Sequence, residues 1–237
     1  MLAALESRER WSRAELLAAI EAGGVATTGQ RGYHLLWYLS QTGTLCQGPT
    51  DGARDQLFVG LDRWIPAARR REPEEALAEL ALRYFTGHGP ATVQDLCRWA
   101  AVGVREVRAA LPHVRDRLES VTVEGTEHLM DPSTPDRLAA ARAEADGVLL
   151  LPGFDEYVLG YADRTAVLPA EHAGRIVPGG NGVFRPTVVR GGQVVGVWRW
   201  AGRGTARRVT AEPFTRFPGP VASAVEELAA QPPWRTS

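Results

Sequence analysis

Helices followed by a β-hairpin, two helices in the first copy and three in the second, occur twice within the first 130 residues of this chain, and few architectures accommodate such a repeat. In the first copy Ser12 stands three residues before Glu15, and Leu16, Leu17 and Ile20 recur at helical spacing, so a capping box opens an amphipathic helix that Gly23-Gly24 ends. A turn at Thr27-Thr28-Gly29 leads into residues 30–42, where Leu35, Leu36 and Leu39 share one helical face, with Gln30, Arg31, His34 and Gln41 mainly on others. Gly43 closes this helix. Leu45 to Gln47 and Gln56 to Gly60 read as strands, and Gly48 to Arg54 as the turn-rich tip between them.

The second copy opens with Glu74 to Phe85, which carries Ala76, Leu77, Leu80, Ala81 and Leu82 at helical spacing. Thr92 starts a short helix through Trp99, Val104 to Leu111 supplies another, and strands Arg117 to Val123 and Thr126 to Met130 flank the tight turn Glu124-Gly125. This is the order of a winged helix-turn-helix, whose second helix enters the DNA major groove while the hairpin reaches phosphate or minor groove. Candidate DNA contacts are therefore Gln30, Arg31 and His34 in the first module and Arg105 and Arg108 in the second, since amides and guanidinium groups bond bidentately to base edges. Winged helices also serve as protein-binding scaffolds. Residues 1–147 hold 17 Arg against 21 acids, so one module could touch no DNA at all.

Pro66 and the run Arg69 to Pro73 mark a charged linker, and Asp131 to Asp146 a polar helical connector. The expected domains are winged-helix modules at 1–66 and 67–132, a connector at 133–146 and a β-rich domain at 147–237. In that last domain Gly147 to Leu151, Tyr157 to Tyr161, Phe184 to Arg190 and Gln193 to Trp200 read as strands. Gly191-Gly192 turns the last pair, Arg207 to Thr210 and Phe214 to Phe217 are further candidates, and Val221 to Ala230 is a capping helix. The expected fold class is α+β: tandem winged helices followed by an antiparallel β-barrel-like domain.

All 27 basic residues are arginine and the formal net charge is −1, but the charge is uneven. From His172 to Ala211 there are seven arginines and no acid, a stretch that calls for an anionic partner. Arg185, Arg190, Arg199, Arg203, Arg207 and Arg208 in it are candidate DNA contacts; Trp198 and Trp200 mix aromatic groups among them, and one of the two is expected in the core. Leu150 to Tyr157 places Asp155 and Glu156 directly after an apolar strand. A carboxylate there can orient water, hold an arginine or bind a metal; alternatively Asp155 caps the turn while Arg164 or another arginine pairs with Glu156.

Cys46 and Cys97 are far apart and the five histidines are scattered, so neither metal nor cofactor is expected and both thiols read as small core residues. The first fifteen residues carry Glu6, Arg8, Glu9, Arg10, Arg13 and Glu15 in place of a signal peptide, and the longest other apolar run, Gly147 to Gly153, is too short to span a bilayer. Cytoplasm, with no membrane partner, is the expectation.

Three stretches carry a resemblance to a known family: Thr28 to Leu36 (Thr-Gly-Gln-Arg-Gly-Tyr-His-Leu-Leu), Leu151 to Arg164 (Leu-Pro-Gly-Phe-Asp-Glu-Tyr-Val-Leu-Gly-Tyr-Ala-Asp-Arg), and Asn181 to Pro186 running on to Gly196-Val197-Trp198-Arg199. On these residues and the order of modules the chain resembles the AlkZ-like family of bacterial winged-helix DNA glycosylases. The resemblance implies a concave channel for double-stranded DNA and excision of alkylated or crosslinked bases by hydrolysis of the N-glycosidic bond, without a metal. Members of that family carry a further N-terminal winged helix with a Gln-x-Gln or Gln-x-Asp motif that positions the attacking water. No such motif occurs in these 237 residues. The resemblance then implies a DNA-binding protein that is not catalytic alone, with a partner chain supplying the missing module. The alternatives are a glycosylase that uses Asp155, Glu156 or Gln30 instead, and a protein-interaction scaffold or transcription regulator.

Overall fold

Ser12 caps the first helix, α1 (Arg13–Ala22). The Glu15 N–H donates to Ser12 Oγ at 3.2 Å and the Ser12 N–H donates to Glu15 Oε2 at 2.9 Å, so two of the amides that a helix start leaves open are satisfied reciprocally. The computed structural model describes residues 8–50, 52, 55–203 and 207–230, and the chain divides into two units, Met1–Arg70 and Arg71–Ser237.

In the first unit α2 (Arg31–Gln41) follows α1, and β1 (Leu45–Thr50) and β2 (Gln56–Gly60) pair antiparallel with Leu45 opposite Gly60. Strand β1 runs three residues beyond the expected Gln47, taking up part of the expected tip; residues 51, 53 and 54 of that tip lie outside the described residues. A β-bridge from Trp11 to Phe58 ties the entry of α1 to the hairpin. Trp11, Leu16, Ile20, Leu36, Leu45 and Phe58 form the core, with Leu35 and Leu39 packed at its margin. A side chain at Gly32 would place its Cβ 2.9 Å from both the Leu17 side chain and the Thr27 carbonyl, so this close start of α2 against the preceding turn needs glycine. A four-residue helix, α3 (Leu61–Trp64), ends the unit's regular structure.

The second unit opens with α4 (Pro73–His88), Pro73 occupying the first turn where its missing N–H costs nothing. Helix α5 (Val93–Ala100) has a second capping box, between Thr92 and Asp95, and Ala101 at φ 53° reverses the chain into α6 (Val104–Ala110). Strands β3 (Glu119–Val123) and β4 (Thr126–Met130) form a hairpin in register from Glu119↔Met130 to Val123↔Thr126, turned by Glu124 and Gly125 at φ 50° and 79°. Phe85, Leu96, Val107, Ala110, Leu118 and Leu129 lie at the centre of this core. Helix α7 (Thr134–Ala145) follows β4 and has no buried residue.

Strands β5 (Val148–Leu151), β6 (Thr187–Arg190), β7 (Gln193–Ala201) and β8 (Arg208–Pro213) form an antiparallel sheet in the order β5-β6-β7-β8. One face packs Leu150, Val188, Trp198 and Val209 against Val221 and Val225 of α10 (Gly219–Ala230). The other packs Val189, Val194 and Val197 against Val158, Leu168 and Ile176 of the 152–186 segment.

This corrects the barrel expectation. With a helix on one face and a long segment on the other, both faces are buried without β5 meeting β8, so the sheet stays open. The expected strand Tyr157 to Tyr161 is also replaced, by a short helix α8 (Glu156–Leu159): Asp155 Oδ1 accepts the Tyr157 N–H at 2.9 Å and so caps a helix start. Strand β6 begins only at Thr187, after Pro186, which has no N–H for the ladder. Phe214 to Phe217 follows Pro213 as irregular chain, while a last short helix, α9 (Ala173–Ile176), sits in the segment before β6.

Candidate nucleic-acid interface

The acid-free arginine stretch does not form one surface. Arg175 and Arg185 converge on Glu212, one residue past its end: Arg175 Nη2 lies 2.7 Å and Arg185 Nη2 4.0 Å from the carboxylate. Arg175 Nη1 also donates to the Phe214 carbonyl at 2.7 Å, and its guanidinium sits 4.8 Å from the Phe214 ring centre. These two arginines fasten the 170s segment to β8. Arg190 closes β6 at one end of the sheet, whereas Arg203, Arg207 and Arg208 cluster around the other end of β7. Nine residues of strand separate the ends, which at ~3.3 Å per residue is roughly 30 Å.

At that second end the pairings Arg199↔Thr210 and Ala201↔Arg208 make Arg199 and Arg208 diagonal neighbours on one face of the hairpin. On the opposite face the Arg207 guanidinium lies 4.2 Å from the centre of the Trp200 ring, a cation–π contact. Of the two tryptophans, Trp198 is the core member; its Nε1–H donates to the Leu151 carbonyl at 2.8 Å. Arg199, Arg203, Arg207 and Arg208 are exposed, and among the described residues none forms an ion pair with a carboxylate. The result is a hairpin end with four cations and an aromatic ring, suited to polyanion contact.

The expected helix contacts divide between the units. Gln30, at the N-cap position of α2, Arg31 and His34 are all exposed. Tyr33, Trp37 and Tyr38 beside them are exposed by 51%, 54% and 59%, so this helix presents aromatic rings as well as polar groups. In the second unit Arg105 and Arg108 are exposed on α6, with Glu106 between them.

Of the two carboxylates after β5, Asp155 is committed to its cap and Glu156 is not. Glu156 Oε2 accepts from Trp99 Nε1 at 2.9 Å and lies 3.3 Å from His88 Nε2, while its side chain keeps 57% of its exposure. The alternative arginine pairing does not form among the described residues: Arg164 Nε donates to the Val158 carbonyl instead. The His88 ring stacks on Tyr84 at 4.5 Å and 11°, with Trp99 5.3 Å from both. The Tyr84 hydroxyl donates to the Gly160 carbonyl, Tyr161 to that of His88 at 2.7 Å, and Asp95 accepts from the Ala162 N–H at 2.7 Å. Burial, and then the nearby Asp95 charge, raises both tyrosine hydroxyls above their ordinary value, Tyr84 strongly, so they stay neutral donors. The network holds one half-exposed carboxylate rigidly between two nitrogen donors.

Cys46 and Cys97 are free thiols, the second buried, and burial raises both above the ordinary thiol value. Among the described residues no group of three or more His, Cys, Asp or Glu side chains is placed to hold a metal, and no helix is long and apolar enough to cross a membrane.

A family model described as DNA glycosylase AlkZ-like matches residues 1–231. The chain belongs to the AlkZ-like DNA glycosylase family. It is 31% identical over 164 residues to the interstrand DNA cross-link repair glycosylase of Streptomyces sahachiroi, a match covering 68% of this chain and 44% of that relative. The solved structure of the Streptomyces sahachiroi DNA glycosylase AlkZ superposes with a TM-score of 0.68 at 28% identity, covering 93% of this chain and 61% of that one. The chain thus spans less than two thirds of either relative.

The residues this AlkZ-like chain gathers around Glu156 were not singled out as functional from sequence, because His88, Trp99 and Glu156 come from α4, α5 and α8. The nearest signal was the Leu151–Arg164 stretch itself, which carries Glu156, Gly160, Tyr161 and Ala162 of this network.

Proposed function

We propose that this chain binds double-stranded DNA as a tandem winged-helix protein of the AlkZ-like type, with alkylated or crosslinked duplex as its target. In this reading residues 1–66 and 67–132 are the winged-helix modules, 133–146 the connector and 147–237 the β-rich domain. The observation that carries it is the β7–β8 end, where Arg199, Arg203, Arg207 and Arg208 stand exposed with no carboxylate partner among the described residues. Four uncompensated cations around one hairpin repel one another and gain by meeting phosphates. The recognition helices α2 and α6 contribute Gln30, Arg31, His34, Arg105 and Arg108 to the duplex. Crosslink repair by the Streptomyces relative supports damaged duplex as the substrate class. No Gln-x-Gln or Gln-x-Asp occurs in these 237 residues, so duplex binding, not base excision, is the activity this reading assigns to them.

Amide hydrogen exchange tests the placement. Adding duplex should protect the 197–212 peptides and the α6 peptides while leaving those of α7 unchanged. Duplex binding with no protection at 197–212 would remove the hairpin from the interface.

One observation favours a second reading, an active glycosylase. Glu156 is a solvent-accessible carboxylate fixed by two donors, a geometry that can orient water toward an anomeric carbon or stabilise the cationic sugar as the base leaves. Base release from alkylated duplex that disappears in Glu156→Gln, with binding unchanged, would support this reading. Release that survives the substitution would exclude Glu156.

A further inference from the structure

We propose that Phe154 is a stacking wedge for DNA, a ring that lies against a base whose stacking neighbour has been lost; the proposal rests on the reading that the β7–β8 end meets phosphate. Among the described residues three besides glycine adopt a positive φ. Ala101 at 53° reverses the chain after α5 and Glu124 at 50° turns the β3–β4 hairpin. Phe154, at 61°, is the bulky apolar one, and it is not buried: 55% of the residue is exposed. The left-handed region is costly for a large side chain, and burial that leaves more than half the surface in water recovers less than half of what a core phenylalanine gains. The two effects are of similar size and opposite sign, so folding gives no net reason for phenylalanine where glycine adopts the conformation freely. The reason then lies in what the ring meets outside the chain. The loop that carries it is fixed at three points. The Leu151 carbonyl before it accepts from Trp198 Nε1 at 2.8 Å, a Cβ on Gly153 would stand 2.8 Å from the Phe184 carbonyl, and Asp155 after it caps α8. The Phe184 ring, 6.3 Å away and tilted by 55°, supports the Phe154 ring without covering it. A ring held out in this way needs no ordering when it binds.

The position of the ring relative to the cations gives the chemistry of its partner. Leu151 lies in one row with Thr187 and Val197, and β5 and β7 run in the same direction. The chain therefore leaves β5 toward Phe154 at the end of the sheet to which β7 runs on through Arg199 and Ala201. This is the end where Arg199, Arg203, Arg207 and Arg208 stand exposed with no carboxylate partner among the described residues. With strands ~4.8 Å apart and ~3.3 Å per residue, Leu151 and Arg199 are separated by about 10 Å across the sheet and about 7 Å along it. Phosphates held at the arginines thus leave a base a few steps along the same strand, at ~3.4 Å per step, within reach of the ring. An exposed ring beside these arginines suits a polyanion with aromatic bases, whereas an apolar protein surface would leave the arginines without partners. In an intact duplex only the edges of the bases are open in the grooves. An apolar ring gains most where a base step is already loosened, as at a damaged or missing base, because less unstacking has to be done.

Fluorescence anisotropy of the full chain with a labelled plain duplex, and with the same duplex carrying one tetrahydrofuran abasic-site analogue, tests the wedge. The chain should bind the second duplex at least about fivefold tighter, the smallest gain expected from stacking on one base. Phe154→Gly should abolish that preference, leave the affinity for plain duplex and its salt dependence unchanged, and move the thermal midpoint by less than about 4 °C. Phe154→Tyr, which keeps the ring, should keep the preference. Equal affinity of the unaltered chain for the two duplexes, or a preference that survives in Phe154→Gly, would overturn the proposal while leaving duplex binding at the arginine end in place. A Phe154→Gly chain that melts much earlier and loses plain duplex as well would make the ring a structural one and overturn it too. Failure of the unaltered chain to bind either duplex would remove the DNA reading itself, and the wedge with it.

Discussion

Replacing Arg199 and Arg208 together by glutamine perturbs the proposed interface most directly, because both are exposed and neither forms an ion pair with a carboxylate among the described residues. Each phosphate neutralised by an arginine releases condensed counterions, and the logarithm of affinity then falls against the logarithm of salt with a slope of about −0.9 per contact. The four arginines at the β7–β8 end therefore contribute a slope of about −3.6, or a loss of about 150-fold in affinity between roughly 50 and 200 mM salt. Removing two leaves about −1.8 from this surface, or a loss of about twelvefold over the same range. Fluorescence anisotropy with a labelled plain duplex across a salt series reads the slope directly. Arg190→Gln is the control, since Arg190 closes the far end of the sheet, and it should leave the slope unchanged. A slope that stays the same in the double variant, or that falls as much in Arg190→Gln, would refute the placement of DNA on this hairpin end.

Three further outcomes follow from the packing. Gly160→Ala would place a Cβ 2.7 Å from His88 Cδ2 and from the Glu156 carbonyl, so denaturant unfolding should show a loss of about 1–3 kcal/mol, and a neutral result would mean the His88 ring has room to move. Thr92→Ala removes the side-chain half of the α5 capping box and should lower stability by about 0.5–2 kcal/mol in the same assay; an unchanged midpoint would show that Asp95 alone suffices. The side-chain and backbone hydrogen bonds from Ser133 hold the Asp131 carboxyl below its ordinary pKa. A depressed carboxyl contributes stability at pH above its ordinary value and loses it as pH falls through the lower folded-state midpoint. A carboxyl-detected NMR titration should therefore find a low Asp131 midpoint that rises in Ser133→Ala, and a midpoint at the ordinary value in both would contradict that cause.

The helical half of the fold was legible because its signals are local. Ser12 with Glu15, Thr92, and Glu124-Gly125 act within a few residues of chain, and each formed the expected cap or turn. The C-terminal half was less so, since Tyr157 to Tyr161 has the aromatic and β-branched content of a strand while the Asp155 cap turns it into a helix. Closure into a barrel depends on what covers the sheet, and the cover comes from residues scattered over 152–186 and from α10, which no periodicity within the strands reveals. The charge pattern identified the arginine-rich stretch but not its division, because Glu212, which takes up Arg175 and Arg185, lies just outside it. Likewise Glu156 stood out as a carboxylate after a strand, but its partners His88 and Trp99 are 68 and 57 residues away.

The measurement that bears most directly on the proposed function is equilibrium binding of the chain alone to a plain duplex and to the same duplex bearing one alkylated purine, across a salt series, with free base assayed in the same tubes. Salt-sensitive binding to both duplexes without base release is the expected result; failure to bind either duplex at low salt, or binding indifferent to salt, would contradict a DNA-binding role for this AlkZ-like chain.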